Sequence, residues 1–178
     1  MAGHGMGAAH TQLLAGDTAA ALETLLGSDA ILTELGERGY SSTVQAFLAQ
    51  TYEQLGQIDQ AHAAIALSET LGSHDDVINH VITHGVRARL ALRDGNHDAE
   101  RWARSAVEHA YMTDSIDLQG HTRLQLGEVL ASLGHKHEAI EEARAASDLF
   151  AAKGDEFARK KAQQLLDQLS SDAAETRS

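Results

Sequence analysis

His80 and His84 lie four residues apart, a spacing that sets two imidazoles on one face of a helix, where both rings could reach a single divalent ion. Two ligands leave such a site half built, and the neighbouring sequence does not complete it. His135 and His137 fall in a turn with Glu138 beside them, no His-Glu-x-x-His string pairs two ligands with a base, and the 178 residues include no cysteine. The eleven histidines therefore read as solvent-facing or capping groups, with His84 near Asp75, Asp76 or a neighbouring acidic helix. No metal and no cofactor are expected. Acid–base chemistry finds no better footing. Asp75-Asp76 stands at a helix start, where it caps and complements the dipole, and Glu141-Glu142 lies on an exposed helix face, so neither pair is grouped with a nucleophile. No Gly-Lys-Ser or Gly-Lys-Thr phosphate loop and no strained nucleophile turn occurs. The expectation is a chain without catalytic residues, not an enzyme.

Arg87, Arg89, Arg93, Arg101 and Arg104 form the dense basic cluster, with Arg123 and Lys136 able to extend it. Two roles fit. The guanidinium forks match an acidic peptide, a carboxyl terminus or a phosphate, and they equally suit ion pairs with Asp and Glu on neighbouring helices.

The elements that must position these groups are announced by glycine. Gly56, Gly95 and Gly134 stand 39 residues apart and Gly16 precedes them by 40, each closing one apolar helical run and opening the next. A fixed period of this size marks supersecondary units that bury their apolar faces only by stacking. Proline is absent and aromatics are 4% against 43% hydrophobic residues, which favours helices packed through small side chains. The net charge of −12 opposes a phosphate backbone, so nucleic acid is not an expected partner. No segment approaches the roughly 18–20 apolar residues of a membrane span, and no secretion signal is visible. A soluble, cytoplasmic protein without membrane partners is expected.

The first unit starts weakly: residues 1–7 are Gly-rich and only Ala8 to Ala15 carries a helix. Asp17 caps the next helix, which continues past Gly27 to Leu35. Ser41 or Ser42 opens the following one, Asp59 its partner, and Asp75 or Asp76 the helix carrying Val77, Ile78, Val81, Ile82, Val86 and Leu90. His97 to Met112 comes next, then helices starting at Ser115, His137 and Asp155. The reading is one domain over 1–169, with repeats at 1–39, 40–74, 75–114 and 115–154, an amphipathic capping helix at 155–169, and a disordered tail at 170–178.

In the fourth unit Leu126-Gly127-Glu-Val-Leu130-Ala-Ser-Leu133-Gly134, followed by Ala139, Ala143 and Ala146, resembles a tetratricopeptide (TPR) repeat. Small residues at Gly127, Ala139 and Ala146 let two antiparallel helices approach, and leucines fill the space between. Leu48-Ala49, Tyr52, Leu55-Gly56, Ala61 and Ile65 match in the second unit, and Leu14, Gly16, Ala21 and Leu25 in the first. The third departs, with Ala99 one residue early and Trp102 in the crowded interior, which predicts a shifted or rotated helix. The resemblance implies an all-α, right-handed α-α superhelix of about four helix pairs plus the capping helix. The period exceeds the usual 34 residues or so, and Gly36-Glu-Arg-Gly-Tyr40-Ser with Gly85-Val-Arg-Ala88 resembles repeat regions of bacterial ATPase-linked signalling and transcription regulators, relatives of the maltose-regulon activator and nucleotide-cyclase-associated proteins.

That resemblance implies a scaffold or regulatory sensor that binds a peptide or protein, with a small-ligand or metal-responsive sensor as the alternative and a homodimer through the solenoid ends left open. The first helices of successive units would line a groove. Its polar residues are Gln50, Glu53 and Gln54, then Arg89 and Arg93, then His121 and Glu128.

Overall fold

Each rung of the glycine ladder is a helix stop of one kind. Gly16, Gly56, Gly95 and Gly134 all have positive φ, as do Gly36 and Gly154. Around Gly134 the backbone N–H bonds Ala131 O while His135 N–H reaches back to Leu130 O, the paired bonds that close a helix through a left-handed residue. The same pair recurs at Gly16, Gly36, Gly56, Gly95 and Gly154. A side chain in that backbone region is strained, so the period in sequence is a period of helix ends.

The computed structural model describes residues 2–175, with side chains described over 5–171. The described residues form nine helices and no strand: α1 (Ala2–Leu14), α2 (Thr18–Leu35), α3 (Gly39–Gln54), α4 (Ile58–Leu71), α5 (Val77–Arg93), α6 (Asp98–Ala110), α7 (Ile116–Ser132), α8 (Lys136–Lys153) and α9 (Glu156–Glu175). Four expected starts hold. Asp17, Asp76, Ser115 and Asp155 each accept a hydrogen bond from the backbone N–H three residues on, satisfying donors that a helix start leaves open. Asp59 is no cap: α4 starts at Ile58 after Gln57, which makes no side-chain capping bond.

The helices group into two compact units, Met1–Val86 and Arg87–Ser178, with the division inside α5, where the sequence suggests one continuous domain. In the first unit Ala21, Leu25, Leu32, Val44, Leu48, Ala61 and Ile65 are buried. α1 is longer than expected, and one of its glycines serves packing: a Cβ on Gly5 would run into Ser28 Oγ of α2, whereas Gly7 has nothing within 4 Å. The buried face of α5 also differs from its apolar pattern. Ile78 is 40% exposed, while Asn79 and Thr83 are buried. Asn79 Nδ2 donates to Ser42 Oγ at 2.7 Å, Ser42 Oγ donates to Gly39 O at 2.6 Å, and Ser68 Oγ donates to Ser42 O at 2.8 Å. These bonds tie α3, α4 and the start of α5 through polar groups that an apolar periodicity cannot reveal.

In the second unit Ala88, Ala91, Ala99, Ala103, Leu126, Val129, Leu130, Ala139 and Leu169 form one core cluster, and Leu124, Ala146, Phe150, Ala158 and Ala162 a second. Gly127 performs the expected role, since a Cβ there would sit 3.3 Å from Ala139 O and from Leu165 Cδ2.

The third repeat corrects the expectation. Ala99, Ala103, Ala106 and Ala110 are buried and stand 40 residues before Ala139, Ala143, Ala146 and Phe150, although Gly95 and Gly134 are 39 apart. The missing residue is taken up in the turn: Ala99 N–H bonds Asn96 O three residues back, whereas Ala61 and Ala139 reach back four, to Gln57 and His135. The alanine face of α6 is thereby kept. Trp102 is half-buried beside the core cluster, not in the crowded interior.

α9 continues through Glu175, beyond the expected stop at 169. The tail expected to be disordered is thus helical over 170–175, and 176–178 lie outside the described residues.

Candidate binding face

The arginine cluster divides between helix faces. Arg104 of α6 lies 2.8 Å from Glu100 and 2.6 Å from Glu138 of α8. Hydrogen bonds that Arg104 donates to these two carboxylates, Glu100 foremost, hold its guanidinium above its ordinary pKa. His135 Nδ1 joins Glu100 at 3.1 Å. Arg101 pairs with Asp98 at 3.2 Å, and both Arg101 and Arg87 lie over the Trp102 ring, at 4.4 and 5.0 Å from its centroid. Arg123 donates to Tyr111 Oη at 2.6 Å and to Glu142 at 2.7 Å. Burial works against its charge, but the tyrosine and carboxylate outweigh it and raise the pKa. For Arg101, Arg104 and Arg123 the ion-pairing role prevails. His97, before α6, and the α6 side chains Arg101, Trp102, Ser105 and Glu108 border an open surface depression of 550 Å³.

Arg89 of α5 differs. It acts on Glu128 of α7, and so does Lys161 of α9. Glu128 reaches solvent, yet protein crowds its carboxyl enough that lost hydration raises it above the usual carboxylate range, and the two cations pull it back only in part. Arg89 and Glu128 stand 39 residues apart, and Gln50 stands 39 before Arg89. All three occupy one position of the repeat. Arg93 is exposed one turn beyond Arg89.

The raised carboxyl has a pH consequence. A folded pKa above the unfolded one leaves the group favourable below the unfolded value and unfavourable once ionised. Glu128→Gln should therefore raise the thermal midpoint modestly at pH 7, a gain that fades as pH falls through the raised folded pKa and is gone below about pH 4.3, the ordinary glutamate pKa. Unfolding curves at several pH values check this; a midpoint lowered at pH 7 would reverse the assignment.

The other proposed groove residues are placed separately. In the first unit Gln50 and Glu53 are half-buried on α3 and Gln54 is exposed, accepting a 3.4 Å bond from Thr18 Oγ1. His121 is half-buried on α7, with Asp117 Oδ1 3.8 Å from its Nε2, and its ring meets the edge of Phe150 at 5.0 Å between centroids. Asp155, at the start of α9, joins this pair: one ligand atom from each of the three lies within 4.8 Å of the others. The histidines singled out in sequence do not converge in this way. The His80 and His84 rings are 5.5 Å apart, but His80 turns a ring nitrogen to His74 O. His137 lies 3.7 Å from Glu141, and Glu138 is taken by Arg104. Lys161, Asp117 and Asp155 were not legible as site residues. The repeat phase could have shown that Arg89 and Glu128 correspond; how α9 faces α7 has no sequence signal.

Paired antiparallel helices, small residues at their crossings and a glycine stop at every repeat define an all-helical TPR-like repeat fold. A solved structure of nearly identical TPR-like repeats, assigned to a kinesin light chain of Podosopora anserina, matches with a TM-score of 0.55 and 16% identity, covering 97% of this chain and 95% of that one. No protein-family model matches the chain, and no curated protein matches it in sequence. No helix among the described residues is long and apolar enough to cross a membrane.

Proposed function

We propose that the chain is a non-catalytic protein-interaction module, and that the α5–α7–α9 face of its second unit receives an extended peptide or a partner's loop. The observation that carries this reading is Glu128, a carboxyl partly stripped of water and set among Arg89 and Lys161, with Arg93 exposed nearby on α5. Such a face offers the Glu128 carboxylate to peptide N–H groups or a lysine, and the exposed Arg93 fork to a partner carboxylate. Rigid helices hold these groups, so little order is lost on binding. His121 flanks the face on α7. In the first unit Gln50, Glu53 and Gln54 offer polar contacts of their own at the end of α3. A regulatory or signalling role in the cytoplasm follows from the resemblance to ATPase-linked regulators, and a net charge of −12 argues against nucleic acid as the partner.

The test is a pull-down from the source organism with wild type and an Arg89→Glu, Arg93→Glu variant, followed by titration of the captured partner. Affinity should fall by at least about tenfold, the effect of losing one buried charge-assisted contact. Equal capture by both proteins would remove this face from consideration. Light scattering of the same samples detects self-association through the array ends.

A further inference from the structure

Asp117 and His121 are four residues apart on one face of α7, and Asp155 enters from the turn before α9, so three metal-ligating side chains meet from two elements. All three are half-buried, with side-chain exposures of 31% for His121 and 33% for Asp117. Two of the three are held from behind. The Phe150 edge lies against the His121 ring, and Phe150 is itself fully buried and pressed on Gly120. Asp155 is fixed by its backbone N–H bond to Phe150 O, while its Oδ1 accepts from Ala158 N–H at 2.9 Å, the outer bonding that orients a ligating carboxylate. The 3.8 Å between His121 Nε2 and Asp117 Oδ1 exceeds a hydrogen bond and approaches the roughly 3.4 Å that separates two ligand atoms on a tetrahedral zinc.

We propose that Asp117, His121 and Asp155 bind one first-row divalent cation of the zinc class, with solvent completing its coordination. One imidazole with two carboxylates suits zinc, cobalt or manganese, whereas calcium and magnesium take oxygen alone. The bound ion joins α7 to the first turn of α9 and so fastens the C-terminal helix. The site shares His121 with the flank of the proposed peptide face, but neither Arg89 nor Arg93 belongs to it, so the Arg89→Glu, Arg93→Glu variant should bind Zn²⁺ as wild type does.

The test uses the full, untagged chain, because eleven histidines already supply a background of weak sites. Equilibrium dialysis against Zn²⁺ should give one saturable site per chain, with a raised thermal midpoint. Asp155→Asn keeps a capping side chain and His121→Ala removes the imidazole; each should weaken binding by at least about tenfold. A His80→Ala, His84→Ala variant should bind as wild type does. Co²⁺ in the same site should show ligand-field absorption that Asp155→Asn abolishes. Absence of a one-to-one site, binding retained in Asp155→Asn with its helical circular dichroism unchanged, or displacement of Zn²⁺ by equimolar Mg²⁺ would each overturn the proposal.

Discussion

Replacing Phe150 with alanine is expected to cost about 3–5 kcal/mol of folding stability, the largest single-residue effect in the second unit. The ring is fully buried and occupies a place that an alanine, Ala110, fills at the equivalent position of α6. Around it Leu124 of α7, Ala146 of α8 and Ala158 and Ala162 of α9 form one cluster. Three of these four neighbours are alanines, so they have little side chain with which to fill a vacated volume. Chemical unfolding followed by circular dichroism measures the loss. A cost below about 1 kcal/mol would mean that the cluster collapses around the gap, contrary to the packing described.

The second large effect has a sign that helix propensity alone gets wrong. Alanine in a helix interior is favoured over glycine by about 0.8–1.0 kcal/mol, yet Gly120→Ala should destabilise, by up to about 2 kcal/mol net, because overpacking costs about 1–3 kcal/mol. The new Cβ would stand 2.7 Å from Phe150 Cε1 and 3.0 Å from Cδ1, and a buried ring has no flexible end to swing aside. Gly27 provides the internal contrast. It lies inside α2 with nothing within 4 Å of a built Cβ, and Gly27→Ala should gain about 0.5–1 kcal/mol. Combining Gly120→Ala with Phe150→Leu should cost less than the sum of the two changes, since they relieve one contact. Strict additivity, or a stabilised Gly120→Ala, would place the ring elsewhere.

Much of this architecture is legible in sequence because its rules are local. Gly134 and Gly56 announce helix ends, Asp17, Ser115 and Asp155 announce starts, and Gly127 with Ala139 announces a close crossing. The failures share a physical cause. Register counted from Gly95 puts Trp102 inside, while the residues that are buried follow Ala99. The Gly-rich first helix looked frayed because the Ser28 contact that uses Gly5 comes from another helix. Arg104 and Arg89 look alike in a run of basic residues, and only the elements opposite them, α8 with Glu138 and α7 with Glu128, tell their surroundings apart. Asp117 and Asp155 are 38 residues apart; no local pattern brings them together.

The tightened turn before Ala99 also says where this chain can change length. One residue lost within an α-helix rotates every later side chain by about 100°, turning an alanine seam toward solvent and its polar back toward the core. Lost just after a glycine stop, the same residue changes only the pitch of the first helical bonds, and the phase is reset before α6 begins. Insertions and deletions are thus admissible at the rungs and prohibited along the rails, so repeats of unequal length can be joined in one array without their mismatch passing from one to the next.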